Sequence, residues 1–231
     1  MDFGFIFSSA AGELFSPTTA AYALATLGLA VHFGYTGLLN FGQAGFMAVA
    51  GYSMAFLATH LDLSLWLGVV VGLVMTVLLA LLLGVPTLRL RADYLAIVTI
   101  AAAEIIRQTV SAATFVDYFG GQDGLTGFIG PFRALNPFDG TYGIPGLVTW
   151  RGYDFFVTVL GWTVVAISCL IVWALMRSPW GRVLKSIRED EDAVRSLGKN
   201  VYAYKMQSLI LGGVYGTIAG MIFALPRAVV P

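Results

Sequence analysis

From Leu14 to Leu61 the chain carries no Asp, Glu, Lys or Arg. A bilayer core of roughly 30 Å is crossed by about 20 mostly apolar helical residues, so this charge-free run must cross or dip at least twice. The remainder agrees. The 231 residues are 58% hydrophobic and 11% charged, with a mean hydropathy of +0.82, far more apolar than a soluble domain.

The run divides at its centre. Pro17 to Phe33 reads as a first helix, with Pro17 accepted in a first turn. GYTGLLNFGQAGF, residues 34–46, then sets Gly34, Gly37, Gly42 and Gly45 around the amides Asn40 and Gln43. Glycine lets helices approach closely or break, and a break at membrane depth survives only where protein or water satisfies its backbone groups. Phe46 to His60, Leu63 to Leu83 (stopped by Gly84 and Pro86), Tyr94 to Ala112, Tyr153 to Met176 and Met206 to Leu225 supply further helices. The expected fold is an all-α polytopic membrane protein, a bundle of about six transmembrane helices with a broken or re-entrant segment, in one domain over residues 1–231.

Charge placement orients it. Lys and Arg collect in cytoplasmic loops near span ends. Arg89 and Arg91 share one loop, and seven of the thirteen basic residues fall between Arg177 and Lys205. Two spans separate these loops, so both are expected in the cytoplasm. Residues 113–152, with Arg133 and Arg151 against Asp117, Asp123 and Asp139, form the outside loop. If 34–46 is a cytoplasmic turn, the N-terminus is outside; if it is re-entrant, the parity reverses. The opening MDFGFIFSSAAGELF lacks the basic region of a cleavable signal peptide, so insertion is expected to rest on the spans.

Several function classes drop out. Thirteen basic residues balance thirteen acidic ones, which gives no support for nucleic acid as a partner. The single Cys169 precludes an intrachain disulfide and a cysteine metal site, and inside an apolar run it reads as a small apolar filler. No phosphate-binding loop occurs, because Gly198-Lys199-Asn200 lacks both the loop and the hydroxyl. If energy drives this protein, it is expected to come from an ion gradient or a partner.

The segment RSPWGRVLKSIREDEDAVRSL, residues 177–197, concentrates the charge. Val183-Leu184-Lys185-Ser186-Ile187 is echoed ten residues later by Ala193-Val194-Arg195-Ser196-Leu197, and each stretch has one apolar helical face. Glu189, Asp190, Glu191 and Asp192 suit the positive N-terminal end of a second helix, and Gly198 suits its C-terminus. Two short amphipathic helices are expected, with apolar faces that pack on the bundle, on lipid or on another subunit; a solvated linker is the bland alternative. Four acids weigh against an anionic lipid surface.

Within the fourth span, Glu104 lies about 15 Å from Tyr94 at 1.5 Å per residue, and Arg107 shares its face at i+3. Intramembrane charges mark either a structural ion pair or a contact to substrate. His32 reads as a hydrogen-bonded helix residue or as a proton relay. Gly216-x-x-x-Gly220 marks a tight-packing last helix.

The strings GYTGLLNFGQAGFMAVAGY, LRLRADYLAIVTIAAAEIIRQ, GGQDGLTG and SPWGRVLKSIREDEDAVRSLGKNVYAYKMQSLILGG, in this order, resemble the permeases of branched-chain amino-acid ABC importers, the LivH/LivM family, and are most similar to the LivM type. The resemblance covers about Ala20 to Ala224. It implies a bacterial or archaeal plasma-membrane permease, itself not an enzyme and without a cofactor. Its implied partners are a second homologous permease, two cytoplasmic ATPase subunits that bind ATP and magnesium, and an extracytoplasmic solute-binding protein.

By position it assigns coupling to the ATPase to Trp180, Arg182, Lys185, Arg188, Glu189, Asp190, Glu191, Asp192, Ala193, Arg195 and Gly198 in the cytoplasmic loop 177–205. The translocation path or gate falls to Gly34, Gly37, Asn40, Gly42, Gln43, Gly45, Glu104 and Arg107. Docking of the binding protein falls to Gly120, Gly121, Asp123, Gly124 and Gly127. The general importer pattern of EAA followed by Gly is met only loosely, by Glu191-Asp192-Ala193 and Gly198. Family members continue through further spans beyond LPRAVVP, so a partial chain is expected. The rival expectation is a self-sufficient secondary transporter or channel with Glu104 or His32 as its ion site.

Overall fold

The computed structural model describes residues 3–61, 63–89, 92–144 and 148–230. Its helices are α1 (Phe3–Leu14), α2 (Pro17–Leu29), α3 (Gln43–His60), α4 (Leu65–Thr87), α5 (Ala92–Ser111), the short α6 (Val116–Phe119) and α7 (Gly130–Arg133), α8 (Gly152–Arg177), α9 (Pro179–Glu189), α10 (Glu191–Ser196) and α11 (Val201–Arg227). Two small antiparallel ribbons join them: β1 (Leu125–Thr126) with β4 (Val229–Val230), and β2 (Thr141–Ile144) with β3 (Val148–Arg151).

Among the described residues, four helices, α4, α5 over Tyr94–Ser111, α8 and α11, are long and apolar enough to cross a membrane. α2, prolonged by a π-helical segment at Ala30–Thr36, and α3 complete the bundle. The chain is an all-α polytopic membrane protein.

Helix boundaries follow local chemistry. Ser16 caps α2 by accepting from the Thr19 N–H at 3.2 Å, and Pro17 occupies the first turn, where a missing N–H costs nothing. Asn200 caps α11 by accepting from the Ala203 N–H at 3.1 Å. That cap starts the last helix at Val201, a turn and a half before the apolar run begins. Pro86 does not stop α4, which continues to Thr87, because a proline one residue from the end disturbs only the final turn. The N-terminal stretch, assigned no element from sequence, is helical as α1.

α11 is the axis of the bundle and the most buried of the four spans. α2 packs antiparallel to it: Ala21 and Leu24 meet Ala219 and Ile222, while Val31 lies lower, beside Tyr215. α3 runs parallel to α11, with Gln43 against Gly216, Phe46 against Gly213 and Gly51 beside Gly220. Hence α2 and α3 run in opposite directions and residues 37–42 return the chain. The approach requires glycine: a methyl group at Gly212 would collide with the His32 ring, and one at Gly220 with the Met47 backbone. Without a hydrophobic drive between helices in lipid, such close van der Waals packing holds them together.

The two ends of the bundle separate cleanly. At one, the Trp162 indole donates to the Phe15 carbonyl at 3.1 Å, the His60 ring meets the Tyr118 carbonyl at 3.0 Å and the Tyr153 hydroxyl donates to Leu225 at 2.9 Å. This is the end that carries the 113–152 loop. At the other, the Arg89 guanidinium lies 5.4 Å from the Tyr202 ring centre, close to α9 and α10. The two basic loops therefore share a face; Arg91 lies outside the described residues. Cys169 is exposed on α8 and fills no core, because it falls on the outward face of that helix.

Candidate functional site

The break between α2 and α3 holds a buried polar network. His32, Asn40 and Gln43 are buried, His32 and Asn40 completely. Asn40 Oδ1 accepts from the Gly42 N–H at 2.9 Å, which fixes its amide orientation. Its Nδ2 then donates to His32 Nδ1 at 3.1 Å and to Gln43 Oε1 at 3.3 Å. Since His32 Nδ1 accepts, Nε2 carries the proton and donates to the Leu209 carbonyl at 3.2 Å. Gln43 Nε2 donates to Gly212 O at 2.9 Å and to Ala25 O at 3.5 Å. Thr36 and Ser208 hydroxyls join at 2.6 Å. Each amide and ring nitrogen has a partner, so the non-helical stretch sits in protein without an orphaned side chain.

Gly37 closes the π-helical turn with φ +71°, a left-handed geometry that glycine adopts without a Cβ penalty. Gly34 is exposed, while Gly42 and Gly45 are buried against α5 at Thr99 and Ala103.

The two short helices are present. Ser178 caps α9, accepting from Gly181 N–H at 3.4 Å. Asp190 caps α10, accepting from Ala193 N–H at 2.9 Å. Gly198 follows α10 at φ +76°. The apolar faces pack on the bundle itself: Leu184 joins Val31, Val172, Met176 and Tyr215, and Ile187 and Val194 join Val201. Leu197, expected on the second apolar face, is 79% exposed. α10 ends at Ser196, so Leu197 falls beyond the helix and leaves its face.

Polar contacts tie this element down on three sides. Arg188 donates to the Gly34 carbonyl in the break, and Lys185 Nζ stands 5.5 Å from the Tyr35 ring centre. Trp180 donates to Gln207 at 2.8 Å, and Arg182 to the Arg177 carbonyl at 3.2 Å. Glu191 bridges Arg195, at 2.8 Å, and Lys205, while Asp192 meets Arg195 at 3.0 Å. Glu189, Asp190, Asp192 and Ala193 are exposed, and with Leu197 they form the outward surface.

Glu104 and Arg107 lie together on the outside of α5. Arg107 Nε donates to Oε2 at 2.9 Å and Nη2 to Oε1 at 2.7 Å, and Gln108 adds a bond to Oε1 at 2.8 Å. The side chains are 51% and 63% exposed respectively. They border a groove of about 560 Å³ between α3 and α5, walled by Ala44, Ala48, Ile100 and Ala103. Tyr52 also lines it, and the Tyr52 hydroxyl is buried without a hydrogen-bond partner among the described residues.

At the opposite end from α9, the loop glycines Gly120, Gly121, Gly124 and Gly127 all have left-handed φ, between 58° and 85°. The resulting turn presents Asp123 to solvent and delivers β1 to β4, at the end of α11. The network partners on α11 and the Arg188–Gly34 bond were not singled out from sequence. They lie more than a hundred residues apart along the chain, and neither composition nor periodicity signals such pairs.

The chain is 33% identical over 216 residues to the high-affinity branched-chain amino acid transport system permease protein LivM of Escherichia coli, covering 89% of this chain and 50% of that protein. A probable branched-chain amino acid transport permease protein LivM of Methanocaldococcus jannaschii is 25% identical over 88% of this chain and 64% of its own length. The L-arabinose transport system permease protein AraH of Escherichia coli is 28% identical over 82% and 51%. The chain thus spans about half the length of the LivM protein of Escherichia coli. No solved structure matches significantly. Residues 15–231 match the family described as branched-chain amino acid transport system, permease component, and the chain belongs to that family of multi-pass plasma-membrane proteins.

Proposed function

We propose that this chain is the membrane-spanning permease part of an ATP-driven importer. It would move branched-chain amino acids or related small polar solutes across the plasma membrane by alternating access. The observation that carries this reading is α9–α10: a capped helix pair whose apolar side is spent on its own bundle, leaving an ordered charged surface with one protruding leucine. Such a surface suits docking to a soluble partner better than insertion into lipid, since its acids oppose an anionic leaflet.

The partners are two cytoplasmic ATPase subunits that hold magnesium-ATP, a second homologous permease and an extracytoplasmic solute-binding protein; hydrolysis belongs to the ATPases. Displacement of α9 would pull on Gly34 through Arg188 and on Tyr35 through Lys185. The π-helical turn would pass that movement into the His32–Asn40–Gln43 joint, and so to α3 and α11 as rigid bodies. The Glu104 face would line the path, and the turn at Gly120–Gly127 would receive the binding protein.

Affinity capture of the permease from membranes tests this. A P-loop ATPase should come with it, and Leu197→Asp should release the ATPase while the permease stays inserted. Solute uptake into liposomes by the permease alone, driven by an ion gradient without ATP, would contradict the reading.

A further inference from the structure

The outward position of Glu104 and Arg107 is costly in lipid. Seven residues separate Glu104, and four separate Arg107, from Ser111 at the end of α5, about 10 Å and about 6 Å along a helix, which places both within a hydrocarbon region of roughly 30 Å. Charges there face protein or a water-filled cavity, and a cavity is what they border. The groove of about 560 Å³ falls within the range of small-molecule sites.

The pair is not saturated. Glu104 accepts three hydrogen bonds, and Oε2 takes only one of them; a carboxylate has about four acceptor positions. Arg107 commits Nε and Nη2 and keeps the Nη1 donors. Donors and acceptors thus remain side by side, with opposite charges a hydrogen-bond length apart and no net charge between them. A singly charged ligand would be attracted by one member and repelled by the other. A zwitterion laid antiparallel to the pair is attracted by both, its ammonium at Glu104 and its carboxylate at Arg107. Ala44, Ala48, Ile100 and Ala103 then offer small apolar walls to a side chain.

We infer that the α3–α5 groove is a binding subsite for a small zwitterion with an apolar side chain, read by Glu104 and Arg107. It deepens the importer reading above, because such a solute is an amino acid. A free solute fits better than a zwitterionic lipid headgroup, since the pair lies below headgroup depth.

The test is binding of L-leucine to the purified permease in phosphatidylglycerol nanodiscs, by saturation-transfer NMR. Leucine should bind, and Glu104→Gln and Arg107→Gln should each weaken it about tenfold or more, the loss of one charge-assisted contact. 4-Methylpentanoate and 3-methylbutylamine, with one charge each, should bind as weakly as leucine does to the variants. Undiminished binding in either glutamine variant, or displacement of leucine by phosphatidylethanolamine, would overturn it. Because binding is read without ATP or partners, failure here is separable from failure of ATP-driven uptake.

Discussion

The α2–α3 break and the outer half of α5 both place strongly polar groups at membrane depth, and they handle them in opposite ways. In the break, His32, Asn40 and Gln43 are sealed and each finds a partner within the chain. On α5, Glu104 and Arg107 satisfy each other at the surface of the chain and leave donors and acceptors to spare. The first arrangement fixes a joint. The second leaves donors and acceptors at the groove, where the inferred subsite would meet its solute.

The contrast can be broken most forcefully at Gly212. Gly212→Leu would drive a side chain into the imidazole of His32. Overpacking costs about 1–3 kcal/mol and more where backbone must move, so the variant is expected to lose its monodisperse peak in fluorescence-detected size exclusion. A milder break is Asn40→Leu, which orphans His32 Nδ1, Gln43 Oε1 and the Gly42 N–H. At about 1–3 kcal/mol for each buried unsatisfied group, the thermal unfolding midpoint should fall clearly. Glu104→Gln sharpens the comparison from the other side. Its neighbours are exposed, so unfolding should be unchanged while solute transport falls; a drop in the midpoint like that of Asn40→Leu would mean the two regions do the same job.

Much of this was legible in the residues. The charge-free run, the glycine-rich break and the basic loops gave the long apolar helices and the common end shared by Arg89 and the α9–α10 segment, because hydrocarbon thickness and charge asymmetry act on local sequence. Pro17 in the first turn of α2 and Gly198 after α10 were likewise local. The fate of Leu197 was not: a ten-residue echo promised a second apolar face, but capping at Asp190 and the left-handed Gly198 leave a helix of only Glu191–Ser196. Nor could sequence supply the partners of Asn40 and Gln43, or that Arg188 reaches Gly34, since these depend on how α2, α9 and α11 meet. The i,i+3 pairing of Glu104 with Arg107 was readable; its outward direction required the packed bundle.

The most direct test of the account lies in the link from α9 to the break. ATP hydrolysis and leucine uptake would be measured in the same proteoliposomes holding the permease with its ATPase and binding protein. Arg188→Glu replaces the donor to the Gly34 carbonyl with a group that repels it. ATP hydrolysis should continue with uptake largely lost. Uptake per ATP equal to that of the unaltered complex would contradict it.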